Sequence, residues 1–561
     1  MREVELVVVG GGPAGSAAAR TAAALGVETL LVDENPIDPA YLQRNVPKWY
    51  GSRLPGVTMS STHVYRWLAS RPDLQTAAEA GVEVLTQHAV WGLFLGAGEP
   101  VRFPNPLRAG AAPPRPTGPE RVIGLYDGNE TWLVQARQVI LATGTTDLHL
   151  AFPGWTLGGV LGGGGALHLL DLYGRIDARR MVVLGSGNLG LTVARRALDA
   201  GIEVAAIVEI EREVQGDAAL RDTLADAGVP FPLCHTVREA QGAAEVERVI
   251  LAEVDDQDGL RGDEISVEAD ALCVAIGRQP AVELAYLAGC AMSYDEAAGG
   301  VLPRHDADGR TSVEGILVAG DLAGAHDQRF LDPGITEKSG RIAAITAAEA
   351  LGKLDAAAAQ RMRAEAGAGS IHPHPRALSQ NGHDGFPSAW HRAAEAFAGD
   401  DLIVCRCEEV TRGELLAAID LVGVEHPDEV KRVSRAGMGL CQGRGCRPLV
   451  AGLLATRGGQ PLATLPLASY RPPVRSLPLS ALATEEDRVL PEYPAFAALE
   501  QRLARDVQQG RLHPTALQRF HYRAGEILYA CVERGADEQE VERAAADLER
   551  QIRYRLERKE V

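Results

Sequence analysis

Four cysteines near the C-terminal end of the 561-residue chain are the side chains best suited to redox chemistry. They form two tight pairs, Cys405 with Cys407 and Cys441 with Cys446, and thirty-three residues separate the pairs. Thiolates spaced in this way can hold one zinc ion or one iron–sulfur cluster. The Cys-x-Cys pair is tighter than the usual knuckle of a structural zinc site, so the spacing favours a [2Fe–2S] cluster over zinc.

The sequence around the second pair also suits a cluster. Gly439, Gly443 and Gly445 leave backbone N–H groups free to bond cluster sulfur. Five basic residues and no acidic residue lie between Lys431 and Arg447. This positive charge can offset a thiolate-ligated cluster or dock an acidic partner.

The N-terminal segment has the pattern of a dinucleotide-binding unit. An apolar strand over residues 4–9 leads into a Gly-x-Gly-x-x-Gly loop and a helix, and an acidic residue ends the next strand. The glycines allow a tight turn and a close approach to a pyrophosphate, which the helix N-terminus faces, while the acid bonds a ribose. The predicted cofactor-binding residues here are Gly10, Gly12, Pro13, Ala14, Gly15, Asp33 and Glu34.

Two further segments favour FAD over NAD as the cofactor of this unit. Residues 138–145 form an apolar strand that ends in Ala142, Thr143 and Gly144, and residues 311–324 form one that ends in Gly320 and Asp321. Together with the glycine loop, they resemble the two-dinucleotide-domain flavoproteins, which include glutathione and thioredoxin reductases. The resemblance implies that Asp321 bonds the ribityl and phosphate region of FAD.

A second strand–glycine–helix unit begins at Gly185, continues through Gly187 and Gly190, and ends at Glu209. Its acidic residue lies twenty-four positions after the leading glycine, one more than in the first unit. A shift of one residue on a strand reverses the face on which a side chain lies. The unit is therefore either an NAD(P)-binding site or a structural remnant, and both interpretations stay open.

Several classes of function are disfavoured. The net charge of −19 argues against a nucleic-acid partner. The sequence has neither a recognisable secretory signal nor an apolar run long enough for a membrane span, so we expect a cytoplasmic protein. No cysteine precedes Cys234, which excludes the dithiol of disulfide reductases near the flavin. No general base is evident, and the catalytic residues stay unknown.

The cysteine segment resembles a known module. The sequences CRCEEVTRGELLAAI and RAGMGLCQGRGC are similar to the bacterioferritin-associated ferredoxin-like [2Fe–2S] module over residues 401–457. A flavoprotein followed by this module resembles the large subunit of opine oxidases, the hydroxyproline dehydrogenase complex and hydrogen cyanide synthase. That resemblance extends over roughly residues 1–460.

The resemblance implies a function and partners. A smaller flavoprotein subunit of the D-amino-acid-oxidase type would oxidise a C–N bond, and this chain would relay the electrons. The acceptor would be a quinone, a cytochrome or another carrier. A third small subunit, and FMN at a subunit interface, are extrapolations from related complexes.

These observations predict an α/β flavoprotein with two nested Rossmann-type domains, a small helical [2Fe–2S] domain and a helical C-terminal tail. The tail is interpreted either as a cap on the body or, with slight preference, as a docking element. The predicted boundaries are 1–155 and 305–355 for the FAD domain, 156–304 for the NAD(P)-binding-like domain, 356–400 for a linker, 401–457 for the [2Fe–2S] domain, 458–490 for a second linker and 491–561 for the tail.

Three functional hypotheses follow. The favoured one is an electron-transfer subunit of a multi-subunit dehydrogenase that acts on an amino acid, an imino acid or an opine-like secondary amine. The alternative is a self-contained NAD(P)H-dependent reductase, in which hydride enters at Gly185–Gly190. A third is a scaffold that binds cofactors and assembles partners.

Overall fold

The structure is a computed structural model of the full chain. It describes residues 2–34, 72–96, 121–128, 130–173, 176–254, 260–325, 327–330, 332–367, 386–423, 426–478, 481, 494–509, 511–512, 520, 524, 527 and 537–557. Contacts divide it into two units, Met1–Leu477 and Pro478–Val561.

The described strands all belong to the first unit. They are β1 Arg2–Val9, β2 Thr29–Asp33, β3 Glu83–Thr86, β4 Ala89–Leu95, β5 Arg121–Tyr126, β6 Thr131–Leu141, β7 Thr145–Asp147, β8 Val160–Gly162, β9 Arg180–Leu184, β10 Glu203–Val208, β11 His235–Gln241, β12 Arg248–Val254, β13 Leu260–Glu268, β14 Ala271–Val274, β15 Arg278–Pro280, β16 Met292–Asp295, β17 Gly300–Pro303, β18 Ile316–Val318, β19 Ile403–Cys405 and β20 Val410–Thr411.

The described α-helices are distributed over both units. They are α1 Pro13–Ala24, α2 Pro72–Glu79, α3 Gly163–His168, α4 Asn188–Asp199, α5 Ala218–Asp226, α6 Glu283–Leu287, α7 Gly334–Ala350, α8 Ala356–Glu365, α9 Phe386–Glu395, α10 Arg412–Val422, α11 Pro427–Ser434, α12 Cys446–Gly458, α13 Pro494–Gln508 and α14 Glu538–Glu557.

The first sheet has the order β3-β2-β1-β6-β5-β4, and β18 also pairs with β6. Strands β1, β2, β3, β6 and β18 pair in parallel, whereas β4 and β5 extend the sheet in antiparallel pairing. The central strand β1 is almost continuously apolar, as a parallel strand covered on both faces must be. The carboxyl ends of β1, β2, β6 and β18 therefore meet at one edge, where the first glycine loop lies.

The second sheet, with the order β10-β9-β14-β8, is entirely parallel. A separate antiparallel sheet, β11-β12-β13, lies between β10 and β14 in the sequence. Two nested Rossmann-type units are thus present, and the predicted α/β fold class is confirmed.

One predicted domain boundary differs from the packing. Residues 278–303 were assigned to the second domain, but β15 pairs with β7 and the side chains of Val282, Leu284 and Ala285 pack in the core of the first sheet. These apolar side chains come after β15 in the sequence, and β15 is not a strand of the second sheet. We therefore propose that the second domain ends near residue 280 rather than at 304.

The predicted linker over 356–400 contains packed helices in the parts of it that the structure describes. Helix α8 follows α7 closely, and in α9 the side chain of Trp390 is fully buried against the second domain. Residues 368–385 of that predicted linker lie outside the described residues.

The predicted [2Fe–2S] domain, residues 401–457, is here called the cysteine module. In this module, Thr411 and Glu414 form a capping box that starts α10.

The second unit contains the predicted helical tail. In the described part of this unit, Phe496, Leu499 and Leu503 of α13 pack with Val541 and Leu548 of α14. The apolar stripes of both helices thereby cover each other. Among the described residues, no helix is both long and apolar enough to cross a membrane.

The crossing of α1 and α7 depends on a glycine. A Cβ at Gly340 would overlap the carbonyl oxygen of Ala14, so Gly340→Ala must force the two helices apart. Overpacking of this kind costs about 1–3 kcal/mol. We expect calorimetry to show a thermal midpoint lowered by roughly 3 °C or more.

Gly452→Ala in α12 is the matched control, because a Cβ there meets nothing within 4 Å. Alanine favours a helix over glycine, so this midpoint should stay unchanged or rise. Equal midpoints for the two variants would contradict the account of the crossing.

Candidate functional site

The first glycine loop is shaped by contacts that exclude any side chain. Gly10 has a φ of +104°, and a Cβ there would overlap the carbonyl oxygen of Ala142. A Cβ at Gly15 would overlap the carbonyl oxygen of Gly10, so α1 packs directly on the turn. At Gly12, by contrast, a Cβ would meet no atom of the described residues within 4 Å. The backbone is thus closely packed at Gly10 and Gly15, whereas the described residues leave space beside Gly12.

Helix α1 begins at Pro13 and has no side-chain cap from its N-cap residue. Its first N–H groups and the open space above Gly12 together make a cradle for a pyrophosphate. At the end of β2, the Asp33 carboxylate accepts a hydrogen bond from the Gly11 N–H at 2.6 Å. Glu34 forms an ion pair with Arg475, with 2.6 Å between Oε2 and Nε. The predicted acids therefore stand at the ribose end of the loop.

Asp321 lies at the other end of the predicted flavin site. Its side chain is buried, Oδ2 contacts Arg329 and Thr145, and Oδ1 is a buried oxygen without a hydrogen-bond partner among the described residues. Gly320 beside it donates its N–H to the Ser339 hydroxyl at 2.8 Å. An unsatisfied buried carboxylate oxygen costs free energy, and a ligand hydroxyl such as those of a ribityl chain would satisfy it.

The segment Ala142–Thr143–Gly144 closes the same edge of the sheet. The Thr143 hydroxyl donates to the Ala281 carbonyl at 2.8 Å, and Gly144 has a φ of +67°. The residues of this edge fit FAD: an open pyrophosphate cradle, two acids at the ribose end and an orphaned carboxylate oxygen at the ribityl end. FAD, when bound, supplies two-electron chemistry that can be passed on one electron at a time.

Sulfur–sulfur contacts join three of the four predicted cysteine ligands. The Sγ atoms of Cys405 and Cys407 are 4.0 Å apart, and those of Cys407 and Cys441 are 3.5 Å apart. A hydrogen bond with Cys446 lowers the pKa of the Cys405 thiol to about 5, and the same interaction raises the pKa of Cys446. The sulfurs of Cys405, Cys407 and Cys446 thus compete for negative charge, and a positively charged metal centre would favour their ionised forms.

Glycines make room for the sulfurs. A Cβ at Gly439 would lie 2.6 Å from the Sγ of Cys407, so only glycine leaves this thiol its position. Gly437 and Gly443 have φ values of +82° and +81°, which turn the loop around Cys441. Hydrogen bonding by the backbones of Gly437 and Glu408 also helps to lower the pKa of the Cys405 thiol, which favours the thiolate that a cluster needs.

Backbone carbonyl groups of the cysteine module accept hydrogen bonds from the nucleotide-binding part of the chain, residues 4–352. The Trp155 indole N–H donates to the Ile403 carbonyl at 2.7 Å, and Gln279 donates to the Arg444 carbonyl at 2.9 Å. A Cβ at Gly445 would lie 3.3 Å from the His149 ring. Ile403, Arg444 and Gly445 all lie within two residues of a predicted cluster ligand, so the cluster loops themselves form this contact.

The second glycine loop has the same local geometry as the first. Gly185 has a φ of +103°, and a Cβ at Gly190 would overlap the Gly185 carbonyl oxygen. Its acid has a different environment, however. Glu209 is fully buried and its carboxylate accepts hydrogen bonds from the Ser186 N–H at 2.9 Å, the Ser186 hydroxyl and the Glu211 N–H. Burial raises the pKa of Glu209 to about 7.

A carboxylate of this chain covers the N-terminus of α4. Asp327 accepts hydrogen bonds from the Asn188 N–H at 2.7 Å and the Leu189 N–H at 3.3 Å, and its Oδ2 would be 3.3 Å from a Cβ at Gly187. These N–H groups are the ones that bond the pyrophosphate in a working dinucleotide site. Asp327 thus bonds the N–H groups that a phosphate would need at the predicted second site, whereas no carboxylate bonds the start of α1 among the described residues.

Sequence reasoning missed Asp327 and Arg475, which lie far from the motifs that they contact. Asp327 is 139 residues from Asn188, and Arg475 is 441 residues from Glu34. No signal in the sequence pairs these residues. An aspartate shortly after the Gly320–Asp321 motif was the only local cue.

The fold and the sites agree with comparisons to known proteins. Residues 4–352 match the family described as pyridine nucleotide-disulphide oxidoreductase, a match that spans more than half of the chain. The chain belongs to that family. Residues 403–456 match the BFD-like [2Fe-2S] binding domain. Membership of the family supports FAD binding, and the second match supports a [2Fe–2S] cluster.

Relatives have the same arrangement over most of their length. An opine oxidase subunit from Agrobacterium tumefaciens (strain Ach5) is 28% identical over 494 residues, which cover 85% of this chain and 91% of the relative. Hydrogen cyanide synthase subunit HcnB of Pseudomonas aeruginosa is 28% identical over 477 residues, with 78% and 90% covered. The predicted resemblance to these subunits is confirmed.

A solved structure shares the fold. L-proline dehydrogenase from P. horikoshii matches with a TM-score of 0.56 and 19% sequence identity, and the match covers 86% of this chain and 80% of that chain. The match covers more of the chain than the two nucleotide-binding units, so the shared fold extends beyond them.

The close approach of Gly439 to the Cys407 sulfur allows a test of Cys407 as a cluster ligand. Gly439→Ala places a Cβ against the Cys407 sulfur, so we expect a marked loss of iron and acid-labile sulfide per chain, measured together with visible absorbance. Gly452→Ala, in the same module, should keep the wild-type content. Full cluster content in Gly439→Ala would contradict the assignment of Cys407 as a ligand.

Removal of the Asp327 carboxylate, which bonds the first N–H groups of α4, gives a second test. Asp327→Ala should lower the thermal midpoint, because loss of a capping carboxylate costs about 0.5–2 kcal/mol. Asp222→Ala is the control, since this exposed carboxylate pairs with the adjacent Arg221 and should change stability by less than about 0.5 kcal/mol. An Asp327→Ala midpoint equal to that of the control would show that the carboxylate does not hold α4.

Proposed function

We propose that this chain is the electron-transfer subunit of a multi-subunit flavin/iron–sulfur dehydrogenase. The observation that carries the proposal is the Asp327 carboxylate on the first N–H groups of α4. It occupies the position that the phosphates of NAD(P)H would need, while the FAD edge and the cysteine module keep the features of working sites. Electrons would therefore enter from another protein rather than from a nicotinamide.

Two kinds of relative support the type of reaction. By their names, the opine oxidase and hydrogen cyanide synthase relatives are subunits of enzymes, and they match most of this chain. The proposed substrate is an amino acid, an imino acid or an opine-like secondary amine. Oxidation of its C–N bond releases two electrons, which a flavin can accept together and a [2Fe–2S] cluster can carry singly.

The proposed partner is a smaller flavoprotein subunit of the D-amino-acid-oxidase type, which would bind the substrate. FMN between the subunits and a third small subunit stay predictions, as does a cytoplasmic location. In this chain, the proposed flavin ligands are the first glycine loop, Asp33 and Asp321, and the proposed cluster ligands are the four cysteines.

Anaerobic stopped-flow absorbance on the purified chain tests how electrons enter. The chain is mixed with NADH and with NADPH in separate runs, and dithionite serves as a positive control for flavin reduction. We expect no flavin bleaching above the buffer rate with either nucleotide and full bleaching with dithionite. Rapid bleaching by NADH or NADPH would overturn the proposal and make the chain a self-contained reductase.

A further inference from the structure

Residues 468–477 form a segment, here called the strap, that follows the cysteine module and was predicted as part of a linker. Its beginning is bonded to the module. Arg447 donates to the Ala468 carbonyl at 2.8 Å and the Ser469 carbonyl at 3.2 Å, and Asp428 accepts from the Ser469 N–H at 3.0 Å. The strap is therefore a fixed part of the first unit.

The other end of the strap enters the flavin domain. The Val474 N–H donates to the Trp91 carbonyl at 2.9 Å, and the Val474 side chain is buried in the core of the first sheet. Tyr470 packs edge-on against Tyr286, with ring centroids 5.4 Å apart. The strap thus bridges the cysteine module and the domain that carries the first glycine loop.

An ion network runs alongside this bridge. Arg475 lies 2.6 Å from the Glu34 carboxylate and 3.7 Å from the Glu283 carboxylate. Arg444 contacts the same oxygen of Glu283 at 3.2 Å. The side chain of Glu283 is 6% exposed and that of Arg475 13%, so solvent screens this central pair weakly, whereas the outer partners Glu34 and Arg444 are more exposed.

The ends of the network lie at the two cofactor sites. Glu34 directly follows Asp33 at the ribose end of the first glycine loop, and Arg444 lies between the predicted ligands Cys441 and Cys446. Two acids and two arginines alternate from one site to the other. A change in the position of Glu34 must be met by Arg475, because a buried charge that loses its partner is strongly destabilising.

We propose that Arg475 closes the ribose end of the flavin site. It thereby couples FAD binding to the docking of residues 441–447, here called the cluster loop, against the nucleotide-binding domains. Arg475 acts as a positioning residue, since among the described residues its side chain is linked to the cluster loop through Glu283 and Arg444. Coupling of this kind is reciprocal: if bound FAD orders the loop, a docked loop strengthens FAD binding by the same factor. The inference concerns assembly and does not depend on the proposed substrate or partner.

Two measurements on the full chain test the coupling. Hydrogen exchange of residues 441–447 is compared with and without FAD, and the Kd of FAD is measured by titration of the FAD-depleted chain. In the wild type, FAD should increase protection of this loop. In Arg475→Gln, the Kd should rise by about tenfold and the FAD-dependent protection should be lost.

Arg471→Gln is the matched control, because Arg471 is an exposed arginine of the same strap and its loss changes the net charge equally. Its Kd and its protection should equal those of the wild type. If Arg475→Gln does not fold, Arg475→Lys replaces it. A lysine keeps the charge but lacks the planar fork that contacts both carboxylates, so the Kd should rise by a smaller factor.

Three results would overturn the inference. They are the absence of FAD-dependent protection at 441–447 in the wild type, an unchanged Kd and protection in the Arg475 variant that folds, and equal losses in Arg471→Gln. None of these results bears on whether NADH bleaches the flavin, so the failure of this inference and that of the proposed function can be told apart.

Discussion

The hydrogen bond from the Trp155 indole to the Ile403 carbonyl lies where the cysteine module meets the nucleotide-binding body. Ile403 begins the short strand that ends at Cys405, so the same backbone segment contacts the body and presents a predicted cluster ligand. Gln279 bonds the other cysteine loop in the same way, through the Arg444 carbonyl. Since both loops are held by their backbones, the cluster position follows from the fold rather than from flexible side chains. Electron transfer between the two cofactors requires such a fixed relation.

The two glycine loops illustrate how one sequence pattern can have two outcomes. Both loops have a positive φ at the first glycine and a helix packed against the turn. The difference lies in two carboxylates. Asp327 bonds the N–H groups that start α4, and Glu209 is fully buried on Ser186. Asp33 is instead partly exposed, and no carboxylate bonds the start of α1 among the described residues. Local sequence defines the Rossmann unit, but a residue from another segment decides whether its helix N-terminus is accessible.

This difference explains what could be predicted from the sequence. The strands, the glycine turns and the four cysteines follow local rules of periodicity and spacing, so the fold class and the cofactor motifs could be recognised. The Asp327 and Arg475 contacts join residues 139 and 441 positions apart, and no local rule pairs them. The proposed boundary near residue 280 and the packing of Trp390 in α9 are not predictable from local patterns either, because burial against a distant surface decides both. The chain also belongs to a family named for disulphide chemistry without any cysteine before Cys234, and its predicted cluster ligands lie within the BFD-like [2Fe-2S] binding domain instead.

The central claim is that one chain holds a flavin and an iron–sulfur cluster in electronic contact. The most direct measurement is anaerobic photoreduction of the flavin in the purified chain, with the cluster followed by electron paramagnetic resonance. The account predicts that the signal of the reduced cluster appears after each flash at a rate independent of protein concentration, since the transfer occurs within one chain. A cluster that stays oxidised while the flavin is reduced, or a rate that scales with protein concentration, would contradict it.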